Sequence, residues 1–310
     1  MARFVLERFV YMLLTLLIIA TMTFFLMKLL PGSPLANQEK LSPKQQEIIL
    51  DKYGLNDPLP VQYVNYMANL FKGDLGVSFQ YDNRPVTTLI SERIGPSAYL
   101  GFQAIVFGAG IGMILGTAAA LKQNSLIDYT ATTIAVLGIS IPSFVFAGLL
   151  QYYLAVKYPL FPVAAWEGFE YTILPTITLS VFVIATVARY MRAELLEVLS
   201  ADYIMLARAK GISSAAIMFR HALRNALIPI ITLLGPLAVN IMTGSLVIEK
   251  IFSIPGIGEQ FVRSIMTNDF PVIMGITLFY SVLFIFIVFI VDILYGVIDP
   301  RIRLGGGRHE

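Results

Sequence analysis

Long apolar runs separated by polar stretches dominate the pattern of the chain. Six runs, each with at most one charged residue, lie at 9–30, 99–121, 131–156, 173–190, 226–247 and 272–297. A helix rises 1.5 Å per residue, so about 20 residues cross a hydrocarbon core of about 30 Å. The pattern therefore predicts an all-α polytopic membrane protein with six transmembrane helices.

The composition agrees with this prediction and excludes several classes of function. Hydrophobic residues make up 57% of the chain and charged residues 14%, against about 45–50% and about 25% in soluble domains. The 22 basic and 20 acidic residues are balanced, without the basic stripe of a nucleic-acid binder. With no cysteine and only His221 and His309, disulfides and thiolate metal sites are excluded and zinc ligands are few.

The basic residues predict the orientation of the chain. The first run follows two arginines but is longer than the apolar core of a secretory signal, about 7–15 residues, so we interpret it as a retained span. Six spans place both termini on one side, and basic residues in short loops favour the cytoplasm. We therefore expect both termini in the cytoplasm, together with Arg3, Arg8, Lys122, Arg189, Arg192, Arg208, Lys210, Arg220, Arg224, Arg301, Arg303 and Arg308.

A polar segment at 31–97 separates the first two spans, and we interpret it as a small extracytoplasmic domain. Its turn signals predict helical stretches at 42–52, 61–71 and 85–94. A flexible loop is the alternative. The segment 1–30 then holds the N-terminus and the first span, and 300–310 is a cytoplasmic tail.

Two of the predicted spans contain helix-breaking residues. Ser-Ile-Pro-Ser at 140–143 lies in the third span and Gly-Pro at 235–236 in the fifth. Proline removes a backbone donor and kinks a helix, and freed carbonyl groups are tolerated against protein or a watery cavity. These positions favour a substrate pathway, although ordinary helix packing, with hydroxyl groups bonded back to their own helix, is an equally good explanation. The polar side chains expected along the pathway are Ser140, Ser143, Asn240, Thr243 and Ser245.

The stretch 248–270 follows the fifth span and carries five charged residues. Each would cost about 2.5–3.5 kcal/mol at the centre of a membrane helix, which excludes a seventh span facing lipid. A Pro-Gly turn at its centre predicts an amphipathic helix at the outer surface or partly re-entrant. Glu249, Pro255 and Gly256 are the candidates for an outer gate.

The longest cytoplasmic loop, 191–225, predicts a helix, a turn and a second helix. Ser200 is a suitable N-cap for the first helix, which ends at Gly211, where glycine readily adopts a positive φ. Ser213 or Ser214 can cap the second helix, which leads into the fifth span.

One face of the first helix is suited to a cytosolic partner. Tyr203, Leu206 and Ala207 share this face by their spacing, and Ala207 is small enough for another protein to approach closely. A helix that merely lies on the membrane interface is the alternative. The full set expected to couple the chain to its partner is Asp202, Tyr203, Leu206, Ala207, Arg208, Lys210 and Gly211.

The residues around this turn resemble a known family. Ala-Arg-Ala-Lys-Gly at 207–211, followed by Arg-His-Ala-Leu-Arg-Asn-Ala-Leu-Ile-Pro at 220–229, is similar to the coupling loop of bacterial ABC importer permeases of the dipeptide and oligopeptide group. The general pattern of such loops is Glu-Ala-Ala, three residues, Gly, nine residues, Ile, one residue, Leu-Pro. Registered on Gly211, this chain has Met205 and Leu206 for Glu-Ala, His221 for Ile and Arg224 for Pro, as in the peptide-importer variant.

The resemblance extends over nearly the whole chain. Further similar segments lie at 8–9, 31–34, 73–76, 241–249, 254–258 and 292–301. Together they are typical of the permease subunit with a large first outer loop, and Ala-Leu-Lys-Gln-Asn at 120–124 favours the oligopeptide type. The resemblance implies the type I ABC importer permease fold, with the permease core at 93–299.

The resemblance also implies partners and a function. The partners are a homologous second permease subunit, two cytosolic ABC ATPase subunits and an extracytoplasmic peptide-binding protein. The chain has no Gly-x-x-x-x-Gly-Lys-Ser/Thr motif, so ATP and Mg would be bound by the ATPase subunits, and this chain would bind no cofactor and no metal and catalyse no reaction. The expected function is ATP-driven import of oligopeptides or dipeptides across the cytoplasmic membrane by alternating access. Nickel or another small solute is the alternative cargo.

Two other classes of function make different demands on a membrane chain. An ion-coupled secondary transporter needs intramembrane acids or unwound ion sites, and the candidates here are Asp292, close to the cytoplasmic interface, and Lys28, which can snorkel outward. An intramembrane enzyme needs a nucleophile beside a base, and neither histidine lies in a predicted span. Transport that depends on ATP without an ion gradient would distinguish the importer from the secondary transporter.

Overall fold

The computed structural model describes residues 2–29, 47, 50, 51, 54–244 and 246–298, and the regular structure of this part is helical, with longer irregular segments at 72–85 and 158–169. Within it, β-pairing is limited to one isolated bridge between Val77 and Pro85. The helices are α1 Ala2–Leu29, α2 Leu59–Phe71, α3 Val86–Leu121, α4 Leu126–Ser140, α5 Ser143–Leu150, α6 Glu170–Ser200, α7 Asp202–Ala209, α8 Ser214–Ile217, α9 Leu223–Gly244, α10 Leu246–Ile251, α11 Ile257–Met266 and α12 Phe270–Ile298. Wider π-helical turns extend α5 over Gln151–Lys157 and join α8 to α9 over Met218–Ala222.

The helices of the described residues agree with the predicted number of spans. Five are long and apolar enough to cross a membrane, and a sixth span results if one bent pair of helices counts as a single span. The bent pair is Leu126–Ser140 with Ser143–Lys157, whose axes differ by 103°. The all-α fold is confirmed, and the number of spans is the predicted six when this broken helix counts as the third span.

The break in the third span falls on the predicted breaker. Ile141 precedes Pro142 and has an extended backbone (φ −82°, ψ 122°), because a proline ring disfavours the helical conformation in the preceding residue. Gly235-Pro236 has a different outcome, since α9 continues through it from Leu223 to Gly244. Gly235-Pro236 therefore does not interrupt the fifth span, because a long membrane helix can compensate the hydrogen bond that one proline removes, and the kink expected there stays a prediction.

Two other helices are longer than predicted. α3 joins the stretch predicted at 85–94 to the second span and passes through Pro96. α6 continues beyond the apolar block 173–190 and ends at Ser200. Apolar runs mark the residues that cross the bilayer, whereas a helix continues into water as long as its side chains permit.

The chain divides into two compact units, each built from segments distant in the sequence. The first comprises Met1–Gly95 and Pro255–Phe289, and the second comprises Pro96–Ile254 and Ile290–Glu310. In the first unit, the start of α3 packs on α11 and α12 through a core cluster that contains Val86, Leu89, Ile90, Ile257, Val272 and Ile276.

A buried carboxylate organises the first unit just before α12. Asp269 is fully buried, and its side chain accepts a hydrogen bond from Ser78 Oγ and another, of 3.1 Å, from the backbone nitrogen of Phe79. Burial raises the pKa of Asp269, and the hydrogen bonds offset only part of this effect. The carboxylate thus ties the turn around residue 78 to the beginning of the last span.

In the second unit, the backbones of α3 and α6 approach each other closely. Gly108, Gly112 and Gly116 lie four residues apart on α3 and therefore share one face. A Cβ at Gly112 would lie 2.8 Å from Val187 Cβ, and a Cβ at Gly116 would lie 2.5 Å from the Ala188 carbonyl oxygen. This is the spacing of small residues that lets membrane helices approach closely, and larger residues would push α3 and α6 apart.

Candidate functional site

The predicted helix, turn and helix are present at residues 201–222, here called the helix-turn-helix segment. α7 follows α6 after the single residue Ala201, whose backbone is extended (φ −70°, ψ 146°). Ser200 belongs to α6, and its hydroxyl donates to the Glu197 carbonyl oxygen at 2.8 Å. The prediction that Ser200 caps α7 is therefore wrong, because the longer α6 uses this residue and leaves the N-cap position to Ala201.

Gly211 closes α7 with the backbone conformation that its position requires. Its φ is +77°, its backbone nitrogen donates to the Arg208 carbonyl oxygen at 3.0 Å, and the nitrogen of Ile212 donates to the Ala207 carbonyl oxygen at 3.2 Å. These are the two hydrogen bonds of a Schellman motif with glycine at the C′ position. A Cβ here would meet nothing within 4 Å, so glycine is required for its conformation rather than for space. The predicted positive φ is confirmed.

The ends of α7 and the start of α8 follow the expected local rules. Asp202 lies in the first turn of α7 and Arg208 in its last turn, an arrangement that complements the helix dipole. Lys210 is the C-cap residue. Ser213 caps α8, because its hydroxyl accepts a hydrogen bond of 3.3 Å from the backbone nitrogen of Ala216, and the helical path then continues into the fifth span.

The buried face of α7 differs from the one predicted. Ile204 and Ala207 are 0% and 7% exposed and pack with Ile217 of α8 and Val198 of α6. The prediction that Ala207 lies on the open face is therefore wrong. Spacing along a helix permits a face through 204 and 207 as readily as one through 203 and 206, and burial of the large isoleucine decides between them.

The open face of α7 carries three large apolar side chains. Tyr203, Met205 and Leu206 are 43%, 64% and 56% exposed. An exposed apolar patch bordered by polar residues is typical of a protein or membrane contact surface. Asn225 Nδ2 donates to the Tyr203 hydroxyl at 2.8 Å, so α7 is linked to the first turn of α9 as well as to α6.

The break between α4 and α5 borders a cavity of about 470 Å³. Its walls are mostly apolar, and the hydroxyl-bearing residues Ser143 and Thr178 are among those that line it. Ser140 bonds back to its own helix, donating to the Val136 carbonyl oxygen at 2.8 Å. Of the other predicted pathway residues, the side chains of Asn240 and Thr243 and the whole of Ser245 lie outside the described part. Volume and lining suit a small ligand held by few polar contacts.

The candidates for an outer gate have separate surroundings. Glu249 is fully buried in α10, where Ser97 Oγ donates to its Oε1 at 2.7 Å. In the first unit, Pro255 is exposed and Gly256 is buried in the turn before α11. The gating role of these three residues stays a prediction. Among the described residues, no group of three or more His, Cys, Asp or Glu side chains could hold a metal ion.

Comparison with protein families identifies the class of protein to which this chain belongs. The family model described as "Binding-protein-dependent transport system inner membrane component" matches residues 110–304. A second model, "Binding-prot-dependent transport system membrane comp, N-term", matches residues 1–97. The chain belongs to this family. It is therefore a multi-pass permease subunit of an ABC importer of the inner membrane, as the coupling-loop resemblance predicted.

Individual relatives agree with this assignment over their full length. The permease is 48% identical to the dipeptide transport system permease protein DppB of Lactococcus lactis subsp. cremoris and 46% identical to DppB of Bacillus subtilis. It is 43% identical to the oligopeptide transport system permease protein OppB of Haemophilus influenzae. Each similarity covers 98% of the permease and 99–100% of the relative. The predicted resemblance to the dipeptide and oligopeptide group is confirmed, whereas the preference for the oligopeptide type is not, because these two dipeptide permeases are more similar than the oligopeptide permease.

A solved structure supports the fold alone. A chain of "Crystal structure of an amino acid ABC transporter with histidines" matches with a TM-score of 0.54 at 18% identity, over 67% of the permease and 93% of that chain. The predicted ABC permease fold is thereby confirmed, and the cargo of that transporter carries no information about this one.

Proposed function

We propose that this permease forms half of the pathway by which an ATP-driven importer carries dipeptides or oligopeptides into the cytoplasm. The observation that carries the proposal is similarity of 41–48% identity over 98% of the chain to permeases named for dipeptide and oligopeptide transport. Such similarity includes the outer segment and the spans as well as the coupling loop. It therefore supports a shared cargo class and not only a shared fold.

The complete transporter contains three further kinds of subunit. A homologous second permease forms the other half of the pathway, two cytosolic ABC ATPases bind ATP and Mg, and an extracytoplasmic binding protein delivers the peptide. The open face of the helix-turn-helix segment, with Tyr203, Met205 and Leu206, is the surface that enters a groove of the ATPase. Arg208, Lys210 and Asp202 border it with charge.

The helix-turn-helix segment can transmit a movement of the ATPases to the membrane because it is connected to a span at each end. α7 is joined to α6 by Ala201 alone, and after the turn at Gly211 α8 continues into α9 by an unbroken helical path. A ligand shifts an equilibrium only by its different affinity for the two states, so closure of the ATPases around ATP favours the arrangement of spans in which the segment fits the closed pair. The break at Pro142 and the cavity beside it suit weak contacts to peptides of varied sequence.

The proposed orientation places both termini and the helix-turn-helix segment in the cytoplasm and residues 31–97 outside. The permease has no native cysteine, so Asn56→Cys and Ser213→Cys each introduce a single thiol. In intact cells, a membrane-impermeant thiol reagent should modify position 56, and should reach position 213 only after permeabilisation. Modification of position 213 but not position 56 from outside would reverse the topology.

The decisive experiment is peptide uptake by the complete complex in vesicles. Labelled peptides of two to six residues should accumulate only with ATP on the ATPase side and the binding protein on the other side, and without an ion gradient. Vesicles that lack the permease are the control, and the length series distinguishes dipeptide from oligopeptide import. Uptake that needs no ATP and collapses with an ionophore would indicate a secondary transporter instead.

A further inference from the structure

A partly buried ion pair joins α4 to α6 in the second unit, with the Asp128 side chain 4% exposed and the Arg192 side chain 31% exposed. Arg192 Nε donates to Asp128 Oδ1 at 2.6 Å and Arg192 Nη2 donates to Oδ2 at 2.8 Å. The backbone nitrogen of Asn124 donates to Oδ2 at 3.0 Å and Thr132 Oγ1 donates to Oδ1 at 3.4 Å. Each carboxylate oxygen therefore accepts two hydrogen bonds, and the guanidinium binds in the two-pronged geometry that is most specific for orientation.

The position of this pair is more informative than its strength. Arg192 lies on α6 eight residues before Ser200, which is about 12 Å along a helix, so it is close to the helix-turn-helix segment. Asp128 lies in the first turn of α4, and the opposite end of α4 is the break at Ser140. The pair therefore lies between the surface proposed for the ATPase and the cavity proposed for the peptide.

An ion pair of this kind contributes little net stability but can specify register. The cost of removing the carboxylate from water offsets part of the attraction, and apolar residues of similar volume often hold helices together equally well. The guanidinium fork, in contrast, fits a carboxylate at one offset and one rotation. Elsewhere on α4, Gly138 packs against Val181 and Ala185 of α6, an apolar contact without directional hydrogen bonds.

We propose that Asp128 and Arg192 are a positioning pair that fixes the register of α4 on α6. A displacement of the helix-turn-helix segment is then transmitted through α6 to the broken span, and is not lost by sliding of the two helices. The inference rests on the function proposed above. Its substance is that the pair acts on the coupling between ATP hydrolysis and transport, beyond any effect on folding.

The experiment separates register from stability by replacing the pair with apolar residues. The double variant Asp128→Leu with Arg192→Met should keep the melting temperature of the detergent-solubilised permease, while peptide transported per ATP falls about fivefold or more, the lower end of typical coupling. Arg192→Lys keeps the charge without the fork and should also lower this ratio. Glu92→Gln, in the exposed pair with Arg84 of the first unit, is the matched control and should leave the ratio unchanged.

Two results would contradict this inference without contradicting the proposed function. One is a parental ratio of peptide to ATP in a folded double variant. The other is a ratio that follows the melting temperature across all variants, because the pair would then be structural only. If the parental complex itself transports peptide without ATP, the proposed function fails and the inference fails with it.

Discussion

Replacing Gly211 by valine is the sharpest test of the helix-turn-helix segment. Gly211 has φ +77°, a conformation that costs a residue with a branched Cβ about 1–3 kcal/mol. A Cβ at this position would meet nothing within 4 Å. The substitution therefore changes the backbone preference of the turn and introduces no clash.

The expected effect follows from what the turn holds in place. The hydrogen bonds from Gly211 and Ile212 to Arg208 and Ala207 close α7 only while residue 211 keeps its positive φ. A cost of about 1–3 kcal/mol lowers the population of this arrangement by about 5–150-fold relative to alternatives. The spans do not depend on this turn, so membrane insertion should be unchanged.

The assay is peptide uptake together with ATP turnover in vesicles that contain the complete complex. Gly211→Val should lower peptide transported per ATP by about fivefold or more, or weaken co-purification of the ATPases. Gly211→Asn is the matched control, since asparagine tolerates the left-handed conformation, and it should retain most of the activity. Parental transport by Gly211→Val would refute the mechanical role of the turn, and equal loss in both variants would show that backbone strain is not the cause.

Three further predictions concern packing and ionisation. Gly116→Ala should lower the melting temperature, because its Cβ would lie 2.5 Å from a backbone oxygen of α6 and overpacking costs about 1–3 kcal/mol. Gly110→Ala is the control and should keep the melting temperature, because a Cβ there would meet nothing within 4 Å. Equal melting temperatures of the two variants would contradict the packing argument. Ala207→Trp should destabilise the permease because Ala207 is buried. Leu206→Trp, on the open face, should keep the stability and alter co-purification of the ATPases. The reverse pattern would show that Ala207 faces the partner, as the sequence predicted. Tyr66→Phe should raise the free energy of unfolding by about 1 kcal/mol, because the buried hydroxyl has no hydrogen-bond partner in the described residues. Burial raises the pKa of Tyr66 from 10.0 to about 12, so the folded state keeps this proton longer and stability should fall from pH 10 to 12 more steeply in the parent than in Tyr66→Phe; parallel pH profiles would contradict this.

Local chemistry explains which parts of the fold could be predicted from the sequence. Apolar runs of sufficient length must be helical, because the bilayer offers backbone groups no other partners. Pro142 breaks the third span, Gly211 ends α7 and Ser213 caps α8, each through a conformation or hydrogen bond within a few residues. The family resemblance also rested on short motifs in a fixed order.

The same local rules failed where two outcomes have similar cost. Pro96 and Pro236 resemble the breaker at Pro142, yet both lie inside continuous helices. Ser200 has the side chain of an N-cap but is taken up by the end of α6. The free-energy cost of one lost hydrogen bond or one unused cap is small compared with the free energy gained by packing a whole helix. The sequence around these residues therefore did not decide the outcome.

Tertiary structure alone decided which residues meet. Asp128 and Arg192 are 64 residues apart, and Ser78 and Asp269 are 191 apart, so no spacing rule within one helix brings them together. The burial of Ala207 likewise depends on α8 and α6, which cover one of two equally apolar faces. By itself, the sequence determined that the chain spans the membrane repeatedly and where it turns at Pro142 and Gly211, because these follow from each segment and its solvent. The buried face of α7 and the partners of the buried charges were decided only by tertiary packing, because burial depends on the neighbours of a residue and not on the residue alone.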